Sequence, residues 1–190
     1  MDINTIKFLA LQELGRAEMP DFVNSDDNDV KVINNQYDFI LSLALENYPW
    51  SFANAKVELT DPEEQSSGKY KYQYELPDDC LFVRGRYASS TYTAPIYRYE
   101  QIDKYIYCDN TSLFISYTKK VPESELPSYF IDYLKYLLAS RLCYLTTGDT
   151  NLLSVLEERK EQAFANARNV DIRQKPVKKL NMSELLDVRL

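Results

Sequence analysis

The sequence predicts an α+β protein: a four-helix bundle core, an antiparallel β module inserted between helices 2 and 3, and an extended C-terminal tail. Three observations predict it. Apolar residues recur at helical spacing toward both ends of the chain, before Pro49 and after Pro127. Between those regions Tyr70, Tyr72, Tyr74 and Leu76 alternate with Lys71, Gln73 and Glu75, a period of two that belongs to a strand. The only tryptophan, Trp50, stands where the first periodicity gives way to the second.

Ile3, Ile6, Leu9, Ala10 and Leu14 mark one face of a short first helix, with Asn4 or Thr5 near its start and Gly15 just past its end. Residues 20–29 read as an acidic loop that caps the next helix. That helix is expected from about Asp29 to Tyr48, with Val30, Ile33, Tyr37, Ile40, Leu41, Ala44 and Leu45 facing inward and Pro49 as its stop. From Ala53 to Thr118 the pattern predicts about four to six short strands. Asp61–Lys69 is a polar loop, residues 85–103 are loosely connected, and Tyr105–Cys108 and Leu113–Tyr117 form a hairpin around Asp109–Ser112. Helical spacing returns after Pro127, with Ser128 as N-cap and Phe130, Tyr133, Leu134, Leu137, Leu138, Leu142 and Leu145 inward as far as Gly148. Asp149 or Thr150 caps a fourth helix carrying Leu153, Leu156, Ala163, Phe164 and Ala167. Its run Glu157–Glu161 is a solvated face of mixed sign. The organisation is therefore 1–52 and 122–170 for the two halves of the helical core, 53–121 for the β module and 171–190 for the tail.

Composition narrows the function. The 190 residues are 45% hydrophobic and 27% charged, the balance of a globular protein able to bury a core. No apolar run approaches the ~18–20 residues that span a bilayer, and the N-terminus lacks the form of a signal peptide, so a cytoplasm-like compartment and no membrane partner are expected. Cys80, Cys108 and Cys143 are odd in number, far apart and without metal-ligand spacing, and read as reduced. With no histidine the commonest general base is missing, and four glycines cannot build a phosphate-cradling loop. A net charge of −7 disfavours a protein that wraps nucleic acid. No enzyme activity, cofactor or metal is expected.

Trp50 and Phe52, with Leu76 and Pro77, are candidate hinge residues that fix the β module on the helices. Ten of the sixteen tyrosines fall between Tyr70 and Tyr117. They read as the half-buried core of a small sheet, with a carbohydrate-stacking platform as the alternative. Adjacent Asp78 and Asp79 point to opposite faces of extended chain and read as a turn, not a reacting pair. After the basic linker holding Arg173, Lys175, Lys178 and Lys179, the residues Leu185, Leu186, Val188 and Leu190 are candidates for docking on a partner, with a frayed tail or one packed on its own subunit as the alternative.

The order of these signals resembles a known family. Trp50-Ser51-Phe52-Ala53, then Tyr72, Tyr74, Leu76, Pro77 and Asp79, then the paired strands and Leu138-Ala139-Ser140-Arg141-Leu142, are similar to the head-to-tail adaptors of short-tailed bacteriophages, the tail tubular protein A type. The likeness spans residues 1 to about 170 and extends to ring proteins of crAss-like phages. It departs at residues 85–104 and in the C-terminal extension. What it implies is a structural virion protein of the neck or tail, assembled in the host cytoplasm. Twelve copies would form a ring between the portal protein and a downstream tail tube or nozzle protein. Genomic DNA would pass through the channel without sequence-specific binding.

Overall fold

The computed structural model describes residues 1–66 and 68–174. It is a mixed α/β chain of four helices and two antiparallel sheets: α1 (Ile3–Gln12), α2 (Asn28–Glu46), β1 (Asn54–Leu59), β2 (Glu63–Glu64), β3 (Tyr72–Glu75), β4 (Cys80–Tyr87), β5 (Tyr99–Ile102), β6 (Tyr105–Cys108), β7 (Leu113–Lys119), α3 (Ser128–Leu142) and α4 (Thr150–Arg173). No helix among the described residues is long and apolar enough to cross a membrane.

Two apolar clusters organise the molecule. The first draws on all four helices, with Ile6 and Leu11 from α1, Ile33 and Leu41 from α2, Phe130 and Leu134 from α3, and Leu156 and Ala167 from α4. The seven inward residues expected on α2 are its seven buried residues. A nineteen-residue helix with a clean 3.6-residue stripe leaves one way to bury its apolar face. The caps differ from expectation. Asp2, not Asn4 or Thr5, caps α1, its carboxylate accepting from Thr5 N at 2.7 Å. Ser128 is the first residue of α3 and Pro127 takes the cap position, because a fixed φ near −65° suits the entry to a helix. Asp149 does cap α4, accepting from Asn151 N and Leu152 N.

α3 stops short of Gly148. After Leu142 the chain widens into a π-helical turn, Cys143–Thr147, closed by Gly148 at φ 64°, where its N–H reaches Cys143 O. One extra residue in the turn rotates the stripe, so Leu145 ends up half-exposed instead of inward. α4 in turn continues past Val170 to Arg173, into the stretch read as linker.

The second cluster lies between the sheets, whose strand orders are β1-β7-β4 and β2-β3-β6-β5. Leu59, Val83, Leu113, Ile115 and Tyr117 come from the first sheet, and Tyr74, Ile106 and Cys108 from the second. The expected β6–β7 hairpin is not formed. β6 pairs with β3 and β5, β7 pairs with β1 and β4, and Asp109–Ser112 carries the chain from one sheet to the other. Tyr74 Oη donates to Asn110 O at 2.8 Å and Lys71 N donates to Asp109 Oδ1, which hold that link over β3. Cys108 and Leu113 consequently meet as members of opposing sheets, both fully buried. The hairpin of this region is β5–β6, around Asp103 at φ 51° and Lys104.

A lysine is enclosed within the helical cluster. Lys7 is 7% exposed, its ammonium 2.8 Å from Asn34 Oδ1 and over the rings of Tyr37 and Phe22 at 5.1 and 5.8 Å. Burial pushes its pKa down, outweighing the attraction of Asp38 and Glu123. Lys7→Met keeps the length of the side chain and removes the desolvated charge, while exposed Asn34 can turn to water. Chemical denaturation is expected to place this variant within about 1 kcal/mol of the parent. A much larger loss would show that the ammonium is a net stabilising element.

Candidate functional site

The junction between helices and sheets is built around Trp50. Its indole is fully buried, and its Nε1–H donates to Ala44 O at 2.9 Å in the last turns of α2. Tyr48, Phe130 and Phe52 surround it at centroid separations of 4.8, 5.2 and 6.0 Å, with Tyr129, Tyr133 and Phe164 beyond. Edge-to-face packing dominates the closest pairs, as the ring quadrupole favours. Trp50 thus joins the end of α2 to α3 and α4, and Phe52, half-buried, extends the aromatic cluster toward β1.

Leu76 and Pro77 do not join this group. Leu76 belongs to the second cluster, and Pro77 opens the turn into β4, its carbonyl accepting from Cys80 N at 2.9 Å. Asp79 in that turn accepts from Tyr117 Oη at 3.1 Å, and its carbonyl accepts from Lys120 N at 2.7 Å. The four candidate hinge residues therefore fall into two places. The candidate docking residues Leu185, Leu186, Val188 and Leu190 lie outside the described residues.

Two polar pins at the junction had no motif to announce them. Asp171, fully buried near the end of α4, accepts from Ser51 N at 2.8 Å, Ser51 Oγ at 2.6 Å and Tyr129 Oη at 3.2 Å. The carboxylate so ties α4 to the first residue after Trp50 and to the start of α3. Burial, with the neighbouring Asp171 charge, pushes the Tyr129 phenol up to about 12, so it remains a donor at neutral pH. Arg84 on β4 donates to Glu46 O at 2.6 Å and Tyr48 O at 3.3 Å, while its Nε donates to Thr118 Oγ1 at 2.9 Å. A guanidinium on Glu46 O, the last carbonyl of α2, satisfies an acceptor that the helix cannot and suits the negative end of its dipole. Backbone bonds from Lys119 N to Ala53 O at 2.8 Å complete the seam.

The tyrosines of the β module are divided by burial. Tyr70, Tyr74 and Tyr117 are buried, whereas Tyr97 is 86% exposed. Burial holds the Tyr74 and Tyr117 phenols up at about 12, and each donates to a fixed oxygen. Tyr92, at φ 58°, packs edge-on to Tyr87 and Phe114 and lies under the Lys56 ammonium at 4.4 Å. Among the described residues there is no cluster of three His, Cys, Asp or Glu able to hold a metal ion.

Exposed apolar side chains occur on loops (Val23, Tyr97), strands (Phe82, Ile102) and helices. Phe39 and Leu43 lie one turn apart on α2, and Tyr144 and Leu145 project from the π-helical turn, 70% and 50% exposed. What fold and junction define is an α+β chain with two apolar cores, locked together by an aromatic cluster and two polar pins, Asp171 and Arg84. Compared with protein-family models and with curated proteins, the chain matches none.

Proposed function

We propose that this chain is a structural virion protein, a head-to-tail adaptor of the short-tailed phage type. In this reading a four-helix bundle carries the β module as an insertion, and copies assemble as a ring, twelvefold, between the portal protein and a tail tube or nozzle protein. The observation that carries it is the division of the first core. Residues preceding the sheets and residues following them share one apolar cluster, while residues 54–119 enclose a second cluster of their own.

Ring closure requires a heterologous interface, with different faces of each copy meeting. Phe39 and Leu43 on α2, and Tyr144 and Leu145 on the π-helical turn, supply two separate apolar faces for such contacts. The net charge of −7 favours a channel through which DNA slides without being gripped or read. The site of action is the virion neck or tail, reached after assembly in the host cytoplasm.

Electron microscopy of the purified protein mixed with its cognate portal is expected to show annular density below the portal. Free protein is expected to remain monomeric at low concentration, since closure depends on many weak contacts made together. Portal particles with no added density would overturn the assignment. Glycan-array binding in the absence of portal binding would replace it with the carbohydrate-binding alternative.

A further inference from the structure

The sheet β1-β7-β4 ends differently at its two edges. Along β4 the outward groups are used: Arg86 O accepts from Ile96 N at 2.9 Å, and Ala88 N donates to Ala94 O at 2.9 Å. The edge of β1 is open. Its register with β7 runs from Asn54↔Thr118 to Leu59↔Leu113, and Lys119 N donates to Ala53 O just before it. Bonding alternates along an antiparallel pair, so Ala55, Val57 and Leu59 bond to β7. The N–H and C=O groups of Lys56 and Glu58 then point away from β7, where no backbone partner among the described residues meets them. The side chains alternate as well. Ala55, Val57 and Leu59 face the second cluster, while Lys56 and Glu58 lie exposed on the other face. Lys56 rests over Tyr92 at 4.4 Å, and neither Lys56 nor Glu58 makes an ion pair among the described residues. Beside the second half of β1 lies a depression of about 390 Å³, lined by residues 57–60 and 75–78. Its charged groups are Glu58, Glu75 and Asp78, of which Glu75 is paired with Lys104.

We propose that the open edge of β1 pairs with β1 of a second copy of this chain, antiparallel about a two-fold axis. Outward backbone groups must meet outward backbone groups, and three registers achieve this at the centre of the strand. Two of them set like charges together, Lys56 opposite the partner's Lys56 or Glu58 opposite the partner's Glu58. The third sets Lys56 opposite the partner's Glu58 and Glu58 opposite the partner's Lys56, so both cross-strand pairs are of opposite sign. That register also places Val57 on the axis against its own copy, covering an apolar side chain that the edge leaves half-buried. It brings the partner's Lys56 to the carboxylates of the depression. Charges on an edge strand ordinarily prevent pairing, because a like charge comes to lie opposite. Opposite signs two residues apart reverse that effect under two-fold symmetry. The contact closes on itself at two copies, so it is separate from the heterologous contacts of a ring and does not rest on the adaptor reading.

The test is sedimentation equilibrium of the full-length protein alone, from about 1 µM to about 100 µM, where a monomer is expected to pass into a dimer. Lys56→Glu and Glu58→Lys, each verified as folded by circular dichroism, are each expected to weaken pairing at least about tenfold, since both cross-strand pairs become like-signed. An equimolar mixture of the two variants is expected to regain the parental pairing, because one then offers only carboxylates and the other only cations at these positions. A parent that stays monomeric, a largest species other than a dimer, single variants that pair as the parent does, or a mixture that fails to pair would overturn the proposal.

Discussion

Trp50→Ala is expected to destabilise the protein by about 3–5 kcal/mol, the largest effect of any single truncation at the junction. The indole is fully buried among aromatic rings from α3 and α4, and it bridges to the end of α2 through its bond to Ala44 O. Removing it opens a cavity that rigid rings cannot collapse to fill. It also strips the link between the helices and the stretch leading into β1. Against a typical total of roughly 5–15 kcal/mol, such a loss brings the chain close to unfolding at ordinary temperature. Denaturant titration of the variant measures it. Trp50 is the sole tryptophan, so its own emission provides a check on the parent. A blue-shifted, quencher-resistant spectrum is expected, and emission typical of indole in water would contradict the buried junction.

Asp171→Ala is expected to cost roughly 2–3 kcal/mol, because it leaves Ser51 N, Ser51 Oγ and Tyr129 Oη without the carboxylate they share. Partly buried donors stranded in this way lose more than a neutral hydrogen bond contributes, to the extent that each was withdrawn from water to make it. The expected signature is non-additivity. Ser51→Ala should cost clearly less in the Asp171→Ala background than in the parent, as residues of one network do. Equal costs in both backgrounds would show that Asp171 and Ser51 act independently.

The helices were legible because burial along a helix obeys a local rule. On α2 the apolar positions repeat at 3.6 residues, and the same seven side chains are buried. The tyrosine strand was legible in part: its alternation marks Tyr74 and Leu76 as inward, and both are buried. That alternation says which face of a strand is apolar but nothing about the strand beside it. β6 and β7, close in sequence and separated by turn-forming residues, therefore read as a hairpin although they belong to different sheets. The pairing is set by partners distant in sequence, β3 for β6 and β1 and β4 for β7, and the Tyr74 bond to Asn110 O fixes the link between them across thirty-six residues.

The junction divides in the same way. Trp50 drew notice by its place at a change of period, and Phe52 by its nearness to it. Asp171 continues the stripe of Ala163 and Ala167 at a spacing of four on α4, although the sequence reading ended that helix at Val170 and gave Asp171 to the tail. Its role was hidden too, because the donors that justify a buried carboxylate lie 42 and 120 residues away. Lys7 and Arg84 were missed for the same reason. What the sequence alone determined is the four helices, their order and the inward face of the most periodic ones, since each depends on spacing within a few turns of chain; β2 and β5 fall in stretches read as a polar loop and a loose connection, because neither carries an apolar alternation of its own. Strand pairing, the π-helical turn that turns Leu145 outward, and the burial of Lys7 and Asp171 were decided by tertiary structure, because a buried charge is stable only where distant groups receive it.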